Sequence, residues 1–450
     1  MRLILRDYQR RLIARAQAAY RMGHKAVLMQ SPTGSGKSAT AIEGVICPSV
    51  ALGRSVIFCA HLEEILDDAA GRIREAGLTV SIVKSGRRLA PNAQVYVCST
   101  PTLARMLERG EALPQADRVI IDEAHRAASS TNRAILTHYR NTGALILGLT
   151  ATPARGDGQP LDEFEQLVCG PSVRELVSMG NLVPCQVFAP DRVLERGVAR
   201  DPVELVTSEC MDSRAVIFAP DGASAQVIHE RLCTAGYRTE TVLDGTPGEI
   251  RRGVRDRLKS GETRGIVTVR AVVEGFDAPV LDTAVLCGAF TTITPWLQAI
   301  GRVTRAHPGK THARVYDLRG AVYLHGLPED DRVWSLAGEQ GRSTAERPAG
   351  LRTCRACHAV FPPCTRCPRC GSVLVSDPRP MRVQRAEMFE ASTVPVAERA
   401  AKYIDGTERS MVARGMRPAK AAMMAREKAP SWVREALAGA SAGETQRRAG

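Results

Sequence analysis

Residues 26–38 carry the sequence AVLMQSPTGSGKS, in which an apolar run passes directly into a glycine-rich loop. The run Ala26–Gln30 predicts a buried strand, and a helical pattern begins after Ser38. Glycines let such a loop bring its backbone N–H groups close to phosphate oxygens, and the helix N-terminus adds a favourable dipole. We therefore expect a phosphate site in which Lys37 contacts the β- and γ-phosphates and the Ser38 hydroxyl binds Mg²⁺. Chance occurrence of Gly-Lys-Ser is the alternative, and its position after a strand argues against it.

A second candidate site follows the apolar run Arg118–Ile121, which ends in Asp122-Glu123-Ala124-His125. The carboxyl end of a buried parallel strand is where α/β folds place ligand chemistry. We expect Asp122 to hold Mg²⁺ through water, and Glu123 to orient or deprotonate an attacking water. The alternative is a surface turn with two solvated acids, which the apolar residues at 119–121 disfavour.

Short apolar runs alternate with helical patterns over the first three-quarters of the chain. Such an alternation is typical of parallel sheets covered by helices on both faces. It predicts an α/β fold with two tandem doubly wound lobes that join within residues 180–190, where Gly180, Pro184 and Pro190 interrupt regular structure. The predicted strands are 26–29, 55–59, 94–98, 118–121 and 144–149, followed by 215–218, 241–243, 265–269, 283–287 and 313–316.

The domain organisation that we predict has five parts. They are the first lobe at 1–183, the second lobe at 184–325, a linker at 326–350, a small cysteine module at 351–375 and a basic helical tail at 376–450. The linker prediction rests on a polar, glycine-rich composition, and the tail has few strong core signals.

The composition narrows the class of partner. The 450 residues carry a formal net charge of +13, which favours a polyanion such as nucleic acid. Aromatic residues are only 4%, so a broad base-stacking platform is not expected. The longest apolar runs are shorter than a signal peptide or a membrane span needs. We therefore expect no membrane partner and a cytoplasmic location, where most of the 13 cysteines would be reduced core residues.

The cysteine module contains two C-x₂-C pairs. Four thiolates at this spacing can close a tetrahedral structural zinc site, and metal would stabilise a segment too small to bury a core. The predicted Zn²⁺ ligands are Cys354, Cys357, Cys367 and Cys370. Cys364 is surplus, and His358 is a less suitable substitute. The alternative of free or disulfide-linked thiols suits neither the spacing nor the compartment. The module's role, gripping DNA or docking a protein, stays open.

Together the motifs, in this order, resemble those of the superfamily 2 DNA and RNA helicases over residues 1–320. In the first lobe the similar segments are 5–9 (the adenine-reading Q-type motif), 34–38 (motif I), 58–64 (motif Ia), 99–102 (motif Ib), 122–125 (the DEAH box) and 149–153 (motif III). In the second lobe they are 215–218 (motif IV), 274–277 (motif V) and 298–305 (motif VI). The layout resembles RadD-type and bacteriophage DEAH helicases and restriction-enzyme motor subunits, although the connection from 184 to 215 is short and no nuclease constellation is visible.

The resemblance implies a residue set for ATP hydrolysis between two RecA-like lobes. The lobes would bind ATP and Mg²⁺, with Arg302 and Arg305 reaching across to the phosphates when the lobes close. The implied catalytic residues are Lys37, Asp122, Glu123, Gln298, Arg302 and Arg305. The implied nucleotide-binding residues are Gln9, Thr33, Gly34, Ser35, Gly36, Lys37, Ser38 and Asp277, with Ser38 and Asp122 on Mg²⁺.

Two further sets follow from the resemblance. His125, Thr150 and Thr152 would relay the nucleotide state to the nucleic-acid track. His61, Thr100 and Thr268 would line that track and contact mainly phosphates, which makes movement largely independent of sequence.

The function that these features predict is an ATP-dependent DNA helicase or translocase in replication, recombination or repair. DNA could be single-stranded, forked or duplex, and a repair or replication protein could dock on the zinc ribbon or the tail. One alternative is an RNA helicase, since the same motor serves both polymers. The other is a non-enzymatic adaptor with an inactive ATPase fold, which the intact Lys37, Asp122, Glu123 and Arg302 disfavour.

Overall fold

The fold is taken from a computed structural model of the chain. The structure describes residues 4–61, 63–84, 92–126, 130–190, 192–269, 278–338, 352–353, 360–361, 365–366, 370–372, 388–390, 394–413 and 416–438. Within these ranges, no helix is long and apolar enough to cross a bilayer.

The first lobe is built on a parallel sheet with helices on both faces. Its strands are β1 (Ala26–Gln30), β2 (Val56–Ala60), β3 (Val80–Val83), β4 (Val95–Ser99), β5 (Arg118–Ile121), β6 (Leu145–Thr150) and β7 (Gln166–Cys169). Its helices are α1 (Asp7–Arg21), α2 (Lys37–Ala41), α3 (Cys47–Ala51), α4 (Glu63–Glu75), α5 (Thr100–Glu108), α6 (Ser130–Asn141) and α7 (Val173–Ser178), with a π-helical turn at Ile42–Ile46 and a 3₁₀ turn at Ala124–Arg126. The strand order is β3-β4-β2-β5-β6-β1-β7, which places β1 between β6 and β7.

The second lobe repeats this architecture. Its strands are β8 (Cys185–Pro190), β9 (Ala215–Ala219), β10 (Thr239–Val242), β11 (Gly265–Val269), β12 (Thr283–Leu286) and β13 (Ala313–Asp317). Its helices are α8 (Pro202–Glu209), α9 (Gly222–Thr234), α10 (Gly248–Ser260), α11 (Ile293–Ile300) and α12 (Val322–His325). A short hairpin of β14 (Arg352–Thr353) and β15 (Val360–Phe361) comes next, then β16 (Met388–Glu390), α13 (Val396–Ala413) and α14 (Pro418–Glu427). The order is β10-β11-β9-β12-β13-β8-β16, in which only β16 is antiparallel to its neighbour.

Alternate side chains of each central strand pack into two different hydrophobic cores, one on each face of the sheet. In β1, Val27 and Met29 pack on one face of the sheet, and Ala26 and Leu28 pack on the other. Because both faces are covered, nearly every strand position is apolar, which is why the strands appear in the sequence as continuous apolar runs. The two sheets confirm the predicted pair of parallel α/β lobes.

The predicted break of regular structure at 180–190 is wrong in its second half. Residues Cys185–Pro190 form β8, which pairs in parallel with β13. Proline is tolerated here because Pro184 precedes the strand and Pro190 ends it. The predicted lobe boundary after Val183 stays a prediction, and β8 begins two residues beyond it.

The tail prediction also needs correction, because the tail is neither wholly helical nor poor in core residues. Strand β16 extends the second sheet, α13 inserts Ala400 and Tyr403 into the core of the second lobe, and Ala425 of α14 and Val433 after it join the same core. Alanine-rich helices conceal this burial in the sequence, because small residues give a weak hydrophobic signal.

Residues 326–338, the described part of the predicted linker, form a strap that contacts both lobes. The Glu329 carboxylate accepts from the backbone N–H of Cys185 at the start of β8, and the Leu336 carbonyl accepts from the backbone N–H of Leu161 in the first lobe, both at 2.8 Å. Arg399 of α13 is buried and pairs with Asp330 of the strap at 3.1 Å. The strap therefore joins the tail, the second lobe and the first lobe.

Candidate nucleotide site between the lobes

The glycine-rich loop between β1 and α2 adopts a conformation that needs glycine. Gly34 and Gly36 have φ values of 86° and 82°, in the left-handed region that favours glycine. A Cβ on Gly34 would lie 2.8 Å from Leu182, and one on Gly36 would lie 2.8 Å from the Gln9 amide. The predicted strand–loop–helix unit is therefore present, with Ser35 buried and Thr33, Lys37 and Ser38 half-buried.

The loop is held from the side of α1 by two side chains. Tyr8 Oη and Gln9 Nε2 both donate to the Ser35 carbonyl, at 2.6 and 3.1 Å, and Gln9 Oε1 accepts from the Arg6 backbone N–H at 2.9 Å. Gln9 thus positions the phosphate loop, and its predicted adenine contact stays a prediction. Sequence reasoning gave Tyr8 no role of its own, because an aromatic residue at the start of an amphipathic helix indicates only packing.

Lys37 lies where the two lobes meet. Its Nζ donates to the Ser31 carbonyl at 3.3 Å. Burial lowers the pKa of this ammonium, the nearby Glu123 and Asp122 carboxylates raise it, and the Arg305 and Arg302 guanidiniums lower it. Four other predicted catalytic groups therefore lie close enough to Lys37 to shift its pKa, and two of them belong to the second lobe.

Glu123 sits in a strained turn immediately after β5. Its φ of 49° is unusual for a residue with a side chain, and such strain is often found at functional sites. Gln298 Nε2 donates to Glu123 Oε2 at 3.3 Å, and His125 Nδ1 lies 3.3 Å from the same oxygen. Burial opposes ionisation, but His125, Lys37 and Arg302 outweigh it and hold the pKa of Glu123 at about 2. Glu123 is therefore a carboxylate at neutral pH, as a water-activating base requires.

The second lobe contributes helix α11 and the residues after it. Gly301, at the end of α11, approaches Thr33 so closely that a Cβ would lie 2.4 Å from Thr33 Cβ. The backbone of Arg305 forms an antiparallel bridge with Leu182. The structure thus brings the predicted Gln298, Arg302 and Arg305 to the phosphate loop of the first lobe.

These groups fit a nucleotide with its magnesium. The left-handed glycines let the loop backbone approach phosphates closely, and three cationic side chains at the cleft offset a polyphosphate charge. Asp122 and the Ser38 hydroxyl supply the oxygen ligands that Mg²⁺ prefers. A bound Mg²⁺ would polarise the phosphate oxygens. Lys37 and Arg302 would bind and orient them, and Glu123 would take a proton from the attacking water.

The three predicted coupling residues are joined by hydrogen bonds. His125 Nδ1 lies 3.2 Å from Thr150 Oγ1, which donates to the Thr152 carbonyl at 2.9 Å. Thr152 Oγ1 then donates to Thr294 Oγ1 on α11 of the second lobe, at 3.0 Å. Thr294 could not be predicted as a site residue, because a threonine four residues before Gln298 carries no signal outside the fold.

The predicted nucleic-acid residues differ in exposure. His61 is exposed after β2, and its pKa is lowered by partial burial and by the nearby Arg126 guanidinium. Thr100 is buried and donates to the Ala60 carbonyl at 3.1 Å. Thr268 is completely buried in β11, and its predicted nucleic-acid contact stays a prediction. Arg126, exposed after β5, is a candidate that the sequence analysis missed because a single arginine is not distinctive.

Two predicted sites lie outside the described residues. The first is the predicted nucleotide contact Asp277, and the second is most of the predicted zinc site, Cys354, Cys357 and Cys367. Cys370 is exposed, with its Sγ 3.1 Å from Ser372 Oγ. Within the described ranges no group of three or more His, Cys, Asp or Glu side chains could hold a metal ion.

Two family models match the chain. Residues 2–155 match "Type III restriction enzyme, res subunit", and residues 201–307 match "Helicase conserved C-terminal domain". The "51.5 kDa protein" of Lactococcus phage (isolate 7-9) is 24% identical over 76% of this chain and 77% of its own length. "Putative ATP-dependent helicase IRC3" of Saccharomyces cerevisiae is 24% identical over 71% of this chain, which spans about half (52%) of that protein.

Solved structures share the fold. A fragment of a "putative HsdR subunit of a type I restriction enzyme" from Vibrio vulnificus YJ016 has a TM-score of 0.58 at 20% identity, covering 72% of this chain and 65% of that one. Mycobacterium smegmatis Lhr, bound to ssDNA and AMP-PNP, has a TM-score of 0.51 at 19% identity, covering 70% and 46%. S. cerevisiae Dbp5, bound to RNA and ADP BeF3, has a TM-score of 0.53 at 15% identity, covering 72% and 84%.

The fold, the cleft and these matches define an ATP-dependent motor of two α/β lobes. The chain belongs to the superfamily 2 helicases and is related to restriction-enzyme and phage helicases. Helicase domains of this kind use ATP and Mg²⁺.

Proposed function

We propose that this protein is a DNA-stimulated DEAH-type ATPase that couples ATP hydrolysis in the inter-lobe cleft to movement along DNA, in replication, recombination or repair. The observation that carries the proposal is the contact of Gln298 with Glu123 across the cleft, beside Lys37 and Arg302. Because these groups come from both lobes, the hydrolytic site is complete only when the lobes are closed. Hydrolysis and lobe movement are therefore coupled.

The match to a restriction-enzyme family model favours DNA over RNA as the track, and the charge of the chain suits either polymer. Restriction enzymes act on DNA, and the first lobe matches a restriction-enzyme family model. The net charge of +13 suits a polyanion, and the exposed His61 and Arg126 lie together at the carboxyl edge of the first sheet. RNA is the competing polymer, since the similarly folded Dbp5 was solved with RNA bound.

The test is the ATPase rate of the full chain without polymer and with single-stranded DNA, duplex DNA, forked DNA and RNA. We expect DNA to stimulate the rate more than RNA does. Lys37→Ala should abolish turnover and leave the circular dichroism spectrum unchanged. Stimulation by RNA alone would replace DNA by RNA in this proposal, and an undiminished rate in Lys37→Ala would refute the phosphate site. The absence of any ATPase activity in wild type would favour the adaptor alternative.

We also propose that the module at 351–375 binds one structural Zn²⁺ through Cys354, Cys357, Cys367 and Cys370. What supports it is the spacing together with the hairpin of β14 and β15, whose register pairs Arg352 with Phe361 around the first cysteine pair. Elemental analysis of freshly purified protein should find about one zinc per chain, because such sites bind with roughly 10–16 kcal/mol. Cys367→Ser with Cys370→Ser should lose the metal and retain basal ATPase activity. Less than about half an equivalent in wild type would refute the site.

A further inference from the structure

A chain of polar side-chain contacts, completed by the backbone of α11, crosses the lobe interface twice. On the first lobe it runs from Glu123 through His125 and Thr150 to Thr152. It crosses to α11 between the hydroxyls of Thr152 and Thr294, and returns to Glu123 from the Gln298 amide. Thr294 and Gln298 are four residues apart, so they lie on the same face of α11, one turn from each other.

The donors and acceptors of this chain of contacts are mutually consistent. The single hydroxyl proton of Thr150 goes to the Thr152 carbonyl, so its oxygen accepts from the Thr152 N–H at 3.1 Å and from His125 Nδ1–H. His125 thus donates towards both Thr150 and the Glu123 carboxylate. The Thr294 hydroxyl donates to the Ala154 carbonyl at 3.3 Å and therefore accepts from Thr152.

Thr294 is the residue through which α11 of the second lobe is hydrogen-bonded to the loop after β6. Both Thr152 and Thr294 are buried, so the bond between them is shielded from water. The first turn of α11 is also held to the first lobe by the hydrogen bond from the Thr294 hydroxyl to the Ala154 carbonyl, so both bonds depend on the same hydroxyl. The position of Gln298 over Glu123, and of Arg302 after it, depends on the docking of this helix.

We propose that Thr294 is a positioning residue that docks α11 on the loop containing Thr150 and Thr152, so that lobe closure, the relay residues and the water-activating carboxylate move together. This role rests on the proposed ATPase function and deepens it. Thr294 would not touch the nucleotide. It would set the fraction of lobe closures in which Gln298 reaches Glu123.

The test is steady-state kinetics of the polymer-stimulated ATPase in Thr294→Val, which keeps the shape and removes the hydroxyl. We expect kcat to fall about 3- to 10-fold for each of the two hydrogen bonds lost, to Thr152 and to Ala154. The KM for ATP should stay within about twofold, since the phosphate loop is untouched. Thr294→Ser should restore kcat. Thr239→Val is the matched control. Thr239 is a buried threonine of the second lobe that lies away from the cleft, and its hydroxyl is hydrogen-bonded to His229 Nδ1 at 2.8 Å.

A double mutant tests the bond itself. If Thr152 and Thr294 act through one contact, Thr152→Val combined with Thr294→Val should be no slower than the slower single variant. Wild-type kcat in Thr294→Val, additive losses in the double mutant, or an equal loss in Thr239→Val would overturn the positioning role. If Thr294→Val does not fold, Thr152→Val alone breaks the same bond from its other end, and a wild-type kcat in that variant would overturn the positioning role. An inactive wild type would instead refute the proposed ATPase, and the positioning role with it.

Discussion

The Gln298 amide donates to Glu123 Oε2 at 3.3 Å, although 175 residues separate the two in the sequence. This contact joins a carboxylate at the end of β5 to a helix of the other lobe. His125 Nδ1 lies close to the same oxygen, so Glu123 contacts both the second lobe and the relay residues. Four predictions follow from this arrangement and from the surfaces around it.

Replacing the predicted base should separate ATP binding from hydrolysis. Glu123→Gln keeps the size of the side chain and leaves Asp122 and Lys37 in place, so we expect ATP to bind with little change. Turnover should fall by roughly 10²- to 10⁴-fold, the usual contribution of a general base. Fluorescent-nucleotide binding and single-turnover hydrolysis measure the two steps. Glu165→Gln, an exposed acid outside the cleft, should behave as wild type. Loss of ATP binding in Glu123→Gln would contradict the role of base.

A methyl group at Gly301 should obstruct lobe closure. Gly301 has an ordinary helical φ of −59°, so alanine causes no backbone strain, but its Cβ would meet Thr33 at 2.4 Å. We expect Gly301→Ala to lower the stimulated kcat roughly 10- to 100-fold, the rate equivalent of the 1–3 kcal/mol that overpacking costs. Gly71→Ala is the control, since a Cβ there would meet no atom within 4 Å. Equal kcat values for Gly301→Ala and Gly71→Ala would show that the lobes need not approach this closely.

DNA affinity should depend steeply on salt, because most contacts are to phosphates. Arg126→Ala should weaken binding to all sequences alike and reduce the slope of log K against log [salt] by about 0.7–0.9, the value of one phosphate contact. Fluorescence anisotropy at several salt concentrations gives the slope. Arg54→Ala is the control. Arg54 matches Arg126 in charge and exposure but lies before β2, at the edge of the sheet opposite His61. An unchanged slope in Arg126→Ala would remove Arg126 from the track.

The stability of the second lobe should depend on Lys310 and on pH. Lys310 Nζ donates to the carbonyls of Pro279, Leu281 and Arg305, and burial lowers its pKa from 10.5 to about 8. Between these values the unfolded chain holds the proton and the folded chain does not, so this contribution to stability rises with pH and is lost as pH falls towards 8.

We therefore expect the Tm of wild type to rise relative to that of Lys310→Met as pH increases from about 8 to about 10. The expected change corresponds to roughly 1–3 kcal/mol in the free energy of unfolding. Thermal unfolding at each pH measures the difference, and Lys259→Met on the exposed side of α10 controls for the loss of one charge. A constant Tm difference, or one that favours Lys310→Met at high pH, would contradict the low pKa of Lys310.

Much of the fold was predictable because parallel sheets covered on both faces leave a strong signal. Central strands such as β2 and β9 are continuously apolar, and the predicted ranges overlap them. Three of the missed strands, β3, β7 and β8, lie at or next to the edges of their sheets, where the apolar signal is weaker. The tail strand β16 was missed because three residues carry too little pattern to predict a strand.

The sequence by itself determined the local motifs of this protein: a glycine-rich loop at Gly34–Ser38, an acidic pair after a strand and two arginines in a helicase-like order. It could do so because each motif is local, and a turn or a strand end is specified by neighbouring residues. The tertiary structure alone decided which groups meet. The contacts of Glu123 with Gln298, of Thr152 with Thr294 and of Gly301 with Thr33 join residues more than 140 positions apart. Such contacts depend on how two separately folded sheets pack together, and no local pattern encodes that geometry.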